Sequence, residues 1–174
     1  MLLWIIIIAA SVCLDQITKM IVMHSMELYQ SVPLIENVFS FTYIHNYGAA
    51  WGMLSDHRWV FILVTAVAII ILPIFLYRYR NLHFLFGFSL SLIIGGAIGN
   101  MIDRLMRGYV VDFLEATFID FPVFNVADIC VVCGAIMMFI YVAFLDKTLF
   151  ADKPKAEKTN AKEVSHDGSD DKTN

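Results

Sequence analysis

Residues 95–128 read GGAIGNMIDRLMRGYVVDFLEATFIDFPVFNVAD. The stretch leaves one apolar run, crosses a polar turn and heads into a second apolar run. It gathers Asp103, Arg104, Asp112, Glu115, Asp120 and Asp128 where the flanking sequence carries almost no charge. Apolar runs of this length read as membrane helices, and acids at their junction are costly unless paired or functional. Asp112 and Asp128 are read here as a catalytic pair, Asp112 carried on the turn and Asp128 opening the next helix.

Working outward, the whole chain of 174 residues is 59% hydrophobic and 16% charged, with a mean hydropathy of +0.71. Those values fall outside the range of soluble globules and indicate a polytopic membrane protein. The formal net charge of -4 says little, because the charges are segregated along the chain and include a polar tail. Nothing points to nucleic acid. Cys13, Cys130 and Cys133 all lie in apolar runs, so they read as thiols packed in helices and not as a disulfide framework. Cys130-Val-Val-Cys133 lacks the second ligand pair that zinc requires and the βαβ setting of a redox motif.

Four spans are expected, over about 2–23, 59–76, 82–102 and 126–145, with long connections at 24–58 and 103–124. The first basic side chain is Lys19, so the N-terminal segment reads as a retained span and not as a cleaved leader. At 1.5 Å per residue Asp15 lies roughly 20 Å along that helix, past the midplane of a ~30 Å core. In the first connection Phe39-Ser40-Phe41-Thr42-Tyr43 alternates with period two, the pattern of a strand lying against the membrane. Trp51 and Trp59 suit the interface. Gly95 and Gly99 form a small-xxx-small pair that allows close helix approach. Residues 147–174 are charged and poor in apolar side chains, which reads as a disordered cytoplasmic tail appended to a membrane domain of residues 1–146.

Topology follows from the basic residues. Arg78, Arg80, Lys147, Lys153, Lys155, Lys158, Lys162 and Lys172 fall on one side, against Lys19, Arg58, Arg104 and Arg107 on the other. The positive-inside rule places both termini in the cytoplasm. The expected fold is therefore an all-α membrane protein of four transmembrane helices with a small extracytoplasmic β-rich segment. Asp15, Asp103, Asp112 and Asp128 then converge on the outer leaflet.

Two Asn-x-x-Asp units, Asn100 to Asp103 and Asn125 to Asp128, place two polar groups on one helix face. Each Asn can donate a hydrogen bond to a neighbouring carboxylate. A lone unit would read as a helix cap, whereas two on one leaflet point to a site. Asp15 and Lys19 pair at i, i+4, and Asp103 anchors the loop that carries Asp112, so these read as structural. Arg104 and Arg107 are also placed to meet lipid phosphates. Asp112 and Asp128 each sit among apolar neighbours, where burial and a second carboxylate raise a carboxyl pKa. Sharing one proton, they can act as acid and base on an amide without a metal. No Gly-x-Ser-x-Gly elbow and no His-Glu-x-x-His motif offers another nucleophile or a zinc site.

The blocks Asp15-Gln16-Ile17-Thr18-Lys19, Asn46-Tyr47-Gly48-Ala49-Ala50, Gly95 to Asn100 with Asp103-Arg104, Gly108 to Phe113, and Phe124 to Asp128 together resemble the lipoprotein signal peptidases (signal peptidase II), bacterial intramembrane aspartyl proteases. The resemblance implies a dyad of Asp112 and Asp128. Asn100, Asp103, Arg104 and Asn125 would support the site, with Asp15, Lys19 and Asn46 near it. It also implies cleavage of a prolipoprotein before a diacylglyceryl-modified cysteine at the outer face of the bacterial inner membrane. No cofactor or metal is expected, membrane lipids are the surroundings, and the chain is expected to act as a monomer. Trp51 departs from the Phe more often expected there, and the tail lies outside the resemblance.

Three other readings compete. A divalent metal held for lipid phosphoryl transfer would call for tightly spaced acids, which are lacking. A proton-coupled transporter would place its acids near the midplane, between repeats. A non-catalytic membrane scaffold would have no use for paired acids.

Overall fold

The computed structural model describes residues 1–48, 58–79 and 83–145. The expectations for Trp51 with residues 49–57, for Arg80 and for the tail from 146 onward fall outside the described residues, as does the side chain of Arg58.

In chain order the elements are helix α1 (Leu2–Ser25), strands β1 (Ser31–Ile35) and β2 (Phe39–Asn46), helices α2 (Arg58–Arg78) and α3 (Phe84–Met106), strand β3 (Val110–Ala116) and helix α4 (Val126–Ile140). A π-helical turn, Tyr141–Leu145, extends α4. Among the described residues four helices are long and apolar enough to cross a membrane, Leu2–Ser25, Trp59–Arg78, Phe84–Met106 and Val126–Leu145. The sequence places these spans within a few residues; α3 begins at Phe84 and runs on to Met106, so Asp103 and Arg104 lie in its last turns.

Helix α3 is the centre of the bundle and packs against α1, α2 and α4. Of its most apolar window 44% is buried, against 6% for α2, whose surface faces outward almost all round. Its small residues explain the difference. A Cβ on Gly95 would lie 2.6 Å from the Ser11 Cβ, and one on Gly96 would lie 2.3 Å from the Ala127 carbonyl oxygen. The expected close approach at Gly95 and Gly99 is thus present, with α1 on one flank of α3 and α4 on the other. Trp4, Leu76, Leu90 and Ile94 form the apolar core toward the other end of the bundle.

The three strands form one antiparallel sheet in the order β1-β2-β3. The alternating Phe39–Tyr43 segment is indeed a strand, but Asp112 is not on a turn. It sits in β3, paired with Ile44 of β2. The first five residues of β3 are buried, so Val110, Val111, Phe113 and Leu114 show no alternation, and the segment reads from sequence as a merely apolar connection. Gly108, at φ 85°, turns the chain sharply from α3 into this strand. Val22, Tyr43, Val111, Phe113 and Leu114 then pack the sheet against the end of α1.

Candidate active site

Two cores of polar residues meet where α1, α3, α4 and β3 converge. The deeper one is ionic. Lys19 Nζ lies 2.9 Å from Asp15 Oδ2 and 2.9 Å from Asp103 Oδ2, with all three side chains fully buried. Lys19 also donates to Asn100 Oδ1 at 2.9 Å. Arg107 pairs with the second oxygen of Asp103. Asp103 and Arg107 face each other at i, i+4, the spacing that brings helical side chains together. Asp103 Oδ2 accepts the Val111 N–H at 3.1 Å, so it does tether the strand that carries Asp112. Asp15 Oδ1 accepts the Ala127 N–H at 2.9 Å and ties the start of α4 to α1.

The second core is the acid pair. Asn125 is the N-cap of α4: its side chain accepts the Asp128 N–H at 3.0 Å while Asp128 Oδ2 accepts the Asn125 N–H at 3.1 Å. This is a reciprocal capping box, so the second Asn-x-x-Asp unit is both a cap and part of the site. The first unit works crosswise. Asn100 Nδ2 donates to Asp128 Oδ1 at 2.8 Å, and Asn125 Nδ2 donates to Asp112 Oδ1 at 2.6 Å. Asn46 Nδ2 donates to Asp112 Oδ2 at 2.7 Å, its own oxygen held by the Gly48 N–H at 2.9 Å. An isolated bridge between Leu114 and Phe124 draws the two carboxyl-bearing segments together. Each of the four carboxyl oxygens therefore receives one N–H, and among the described residues neither carboxyl donates to the protein.

Both acids border a cavity of about 320 Å3 together with Asn46, Asn100, Arg104 and Phe124. Asp112 is 1% exposed. Burial and, next, the charge of Asp128 push its carboxyl up to about 7, against the opposing pull of the Asn46 and Asn125 hydrogen bonds. Arg104 stands over the Phe61 ring, 5.3 Å from its centroid. It lines the cavity that both acids border. A second cavity of about 320 Å3 descends between Thr65 and Ala68 of α2, Ala97 of α3 and Val131 of α4, and shares Asn100, Arg104 and Asp128 with the first. Asp128 thus also borders a groove that runs between α2 and α4.

All nine residues singled out in the sequence gather here, and two were missed. Gln16 Nε2 reaches Asp15 Oδ2 and the Gly99 carbonyl at 3.1 Å each and Asp103 Oδ1 at 3.2 Å, clamping α1 to α3. Arg107 completes the charge balance around Asp103. A glutamine beside an aspartate in an apolar span was the available signal for the first, and the i, i+4 spacing from Asp103 for the second. Among the described residues no group of three His, Cys, Asp or Glu side chains is placed to hold a metal ion. Cys13, Cys130 and Cys133 are free thiols.

Fold and site together define a multi-pass membrane protein with an acid pair at one end of its helical bundle. The family model for signal peptidase (SPase) II matches residues 7–144. A lipoprotein signal peptidase of Brevibacillus brevis is 46% identical over 144 residues, covering 82% of this chain and 96% of that protein. Another, from Symbiobacterium thermophilum, is 41% identical over 145 residues, covering 82% and 95%. The fold is similar to a bacterial membrane enzyme solved by the in meso method at 2.3 Å resolution, with TM-score 0.75 and 32% identity over 88% of this chain and 94% of that one. A second such structure, at 1.9 Å, gives TM-score 0.72 and 34% identity over 83% and 93%. The chain belongs to the signal peptidase II family. Membership makes it an aspartic-type signal peptidase.

Proposed function

We propose that the protein removes the signal peptide from prolipoproteins, cutting before a diacylglyceryl-modified cysteine, with Asp112 and Asp128 activating water. The observation that carries this reading is the pair itself: two carboxyls from different elements, each held by asparagine amides, bordering one cavity. Among the described residues every fixed partner of the four oxygens is an N–H donor, so there a proton shared by the pair faces the other carboxyl or the cavity. That geometry suits acid-base catalysis on a peptide bond. The ionised carboxylate takes a proton from water while the protonated carboxyl gives its proton to the scissile carbonyl oxygen. Water oxygen bonds to the carbonyl carbon to give a gem-diol. This collapses as the carboxyl that took the water proton passes it to the leaving nitrogen, the C–N bond breaks, and the other carboxylate takes a proton back from a gem-diol hydroxyl. Both carboxyls end the cycle sharing one proton.

The relatives' name, lipoprotein signal peptidase, and the lateral cavity between α2 and α4 support a substrate that arrives within the bilayer. Asn100, Asp103, Arg104, Asn125 and Asn46 would hold or position the pair, and Asp15 with Lys19 would hold the helices that carry them. The basic residues support an active site at the outer face of the bacterial inner membrane, with both termini inside. One chain supplies both acids, which supports action as a monomer.

The test is cleavage of a lipidated precursor peptide in detergent. Asp112→Asn and Asp128→Asn are each expected to lower kcat by at least about 10³-fold, the combined scale of acid-base and electrostatic assistance, while the folded yield stays unchanged. A folded variant that cleaves at near wild-type rate would overturn the dyad. The unlipidated precursor, assayed beside it, tests the lipid requirement.

A further inference from the structure

Strand β3 separates two cavities of opposite character. Successive strand residues point to opposite faces, and while Asp112 borders the catalytic cavity, Phe113 borders another of about 300 Å3 between the sheet and the end of α1. Ile21 and Val22 of α1, with Met26 just past its end, form one wall, and Phe41 and Phe113, with ring centroids 6.4 Å apart, form the other. The lining is apolar apart from Thr18 and Ser25. Thr18 turns its hydroxyl back onto the carbonyl oxygens of Leu14 and Asp15 at 2.9 and 2.8 Å. A buried water needs two to four polar partners, so this space favours hydrocarbon. It adjoins a stripe of α1 that presents Ile17 at 50% exposure and Ile21 at 58%, the outward surface of a membrane span. In a bilayer the material against that stripe is acyl chain.

We propose that this cavity seats one acyl chain of a bilayer phospholipid. The occupant comes from the bulk membrane and not from the substrate, because β3 stands between this cavity and the acid pair, whereas the groove along α2 and α4 connects to that pair directly. A chain seated there packs against Phe113, one residue from Asp112, and stiffens the strand that positions the acid. The inference is independent of the cleavage reaction assigned above.

The experiment uses the full chain in phospholipid nanodiscs containing phosphatidylethanolamine with a mid-chain diazirine, with no prolipoprotein present. After irradiation, adducts are mapped by peptide mass spectrometry. Phe113 is 4% exposed and is reached only by a chain that enters the cavity. Adducts are expected on Phe113 as well as on the outward-facing Ile21. Ser25→Phe, which fills the cavity from its rim, is expected to reduce Phe113 labelling at least tenfold while labelling of Leu14 and Ile5 is unchanged, the sign of an intact fold. Met26→Phe is the second filling variant should Ser25→Phe not fold. The proposal is overturned if Phe113 is unlabelled in the wild type while Ile21 reacts, or if both folded filling variants leave its labelling intact. It is equally overturned if Phe113 reacts only when a lipidated precursor carries the diazirine chain.

Discussion

A carboxyl that titrates near neutrality couples folding to chemistry, and Asp112 is such a group. Its pKa in the fold, about 7, stands above the ordinary 3.8. Below pH 3.8 both folded and unfolded chains carry the proton. As pH rises from there to about 7 the unfolded chain ionises first, so stability is lost across that window and is level above it. The full loss is on the order of 4 kcal/mol at about 1.4 kcal/mol per unit. Asp112→Asn removes this dependence, so its melting temperature in detergent at pH 8 is expected to be no lower than that of the wild type. In the same assays wild-type kcat/KM is expected to fall as pH rises above about 7, where the shared proton is lost; a flat profile from pH 6 to 9 would contradict the acid's role. Lys19→Met leaves Asp15 and Asp103 buried without their common cation, at a cost of about 3–5 kcal/mol, read as loss of folded protein on size exclusion. Spacing alone reveals the Asp15–Lys19 pair. The contact from Lys19 to Asn100, 81 residues away, is invisible until α1 and α3 are packed.

Among the elements, the helices were readable because hydrocarbon thickness fixes their length, and the glycines of α3 announced close packing. Strand β3 was not, since a strand buried on both faces carries no period-two signature. The consequence is that Asp112 read as a loop residue although a ladder holds it. Gly99→Ala tests the helix contact: the new Cβ would lie 2.5 Å from Asp15 Oδ2. Overpacking costs about 1–3 kcal/mol, so a lower melting temperature and at least a tenfold loss of kcat are expected together, because Asp15 also fixes the start of α4. Asn125→Ala separates cap from chemistry. It should cost about 1 kcal/mol as a lost N-cap, measured by thermal shift. The donor lost from Asp112 is a charge-assisted bond of about 1.5–3 kcal/mol, or roughly 10- to 100-fold in kcat. A variant with lower stability and unchanged kcat would reduce Asn125 to a cap.

At the scale of the whole molecule the question is which way the bundle faces. Glu36 lies in the exposed turn between β1 and β2, far in sequence from the bundle's core. In a version with Cys13, Cys130 and Cys133 replaced by alanine, Glu36→Cys is expected to react with a membrane-impermeant maleimide on intact cells. Reaction only after permeabilisation would invert the topology. The hydrogen bond from Ala127 to Asp15 spans 112 positions, and it sets an order of events during synthesis. A ribosome delivers the first span long before residue 127 emerges, so the pair of acids is completed only when the last helix docks. With Asp112 and Asp128 as the proposed dyad, the nascent enzyme is silent throughout its own insertion, and a chain released short of α4 is a membrane protein without a protease in it.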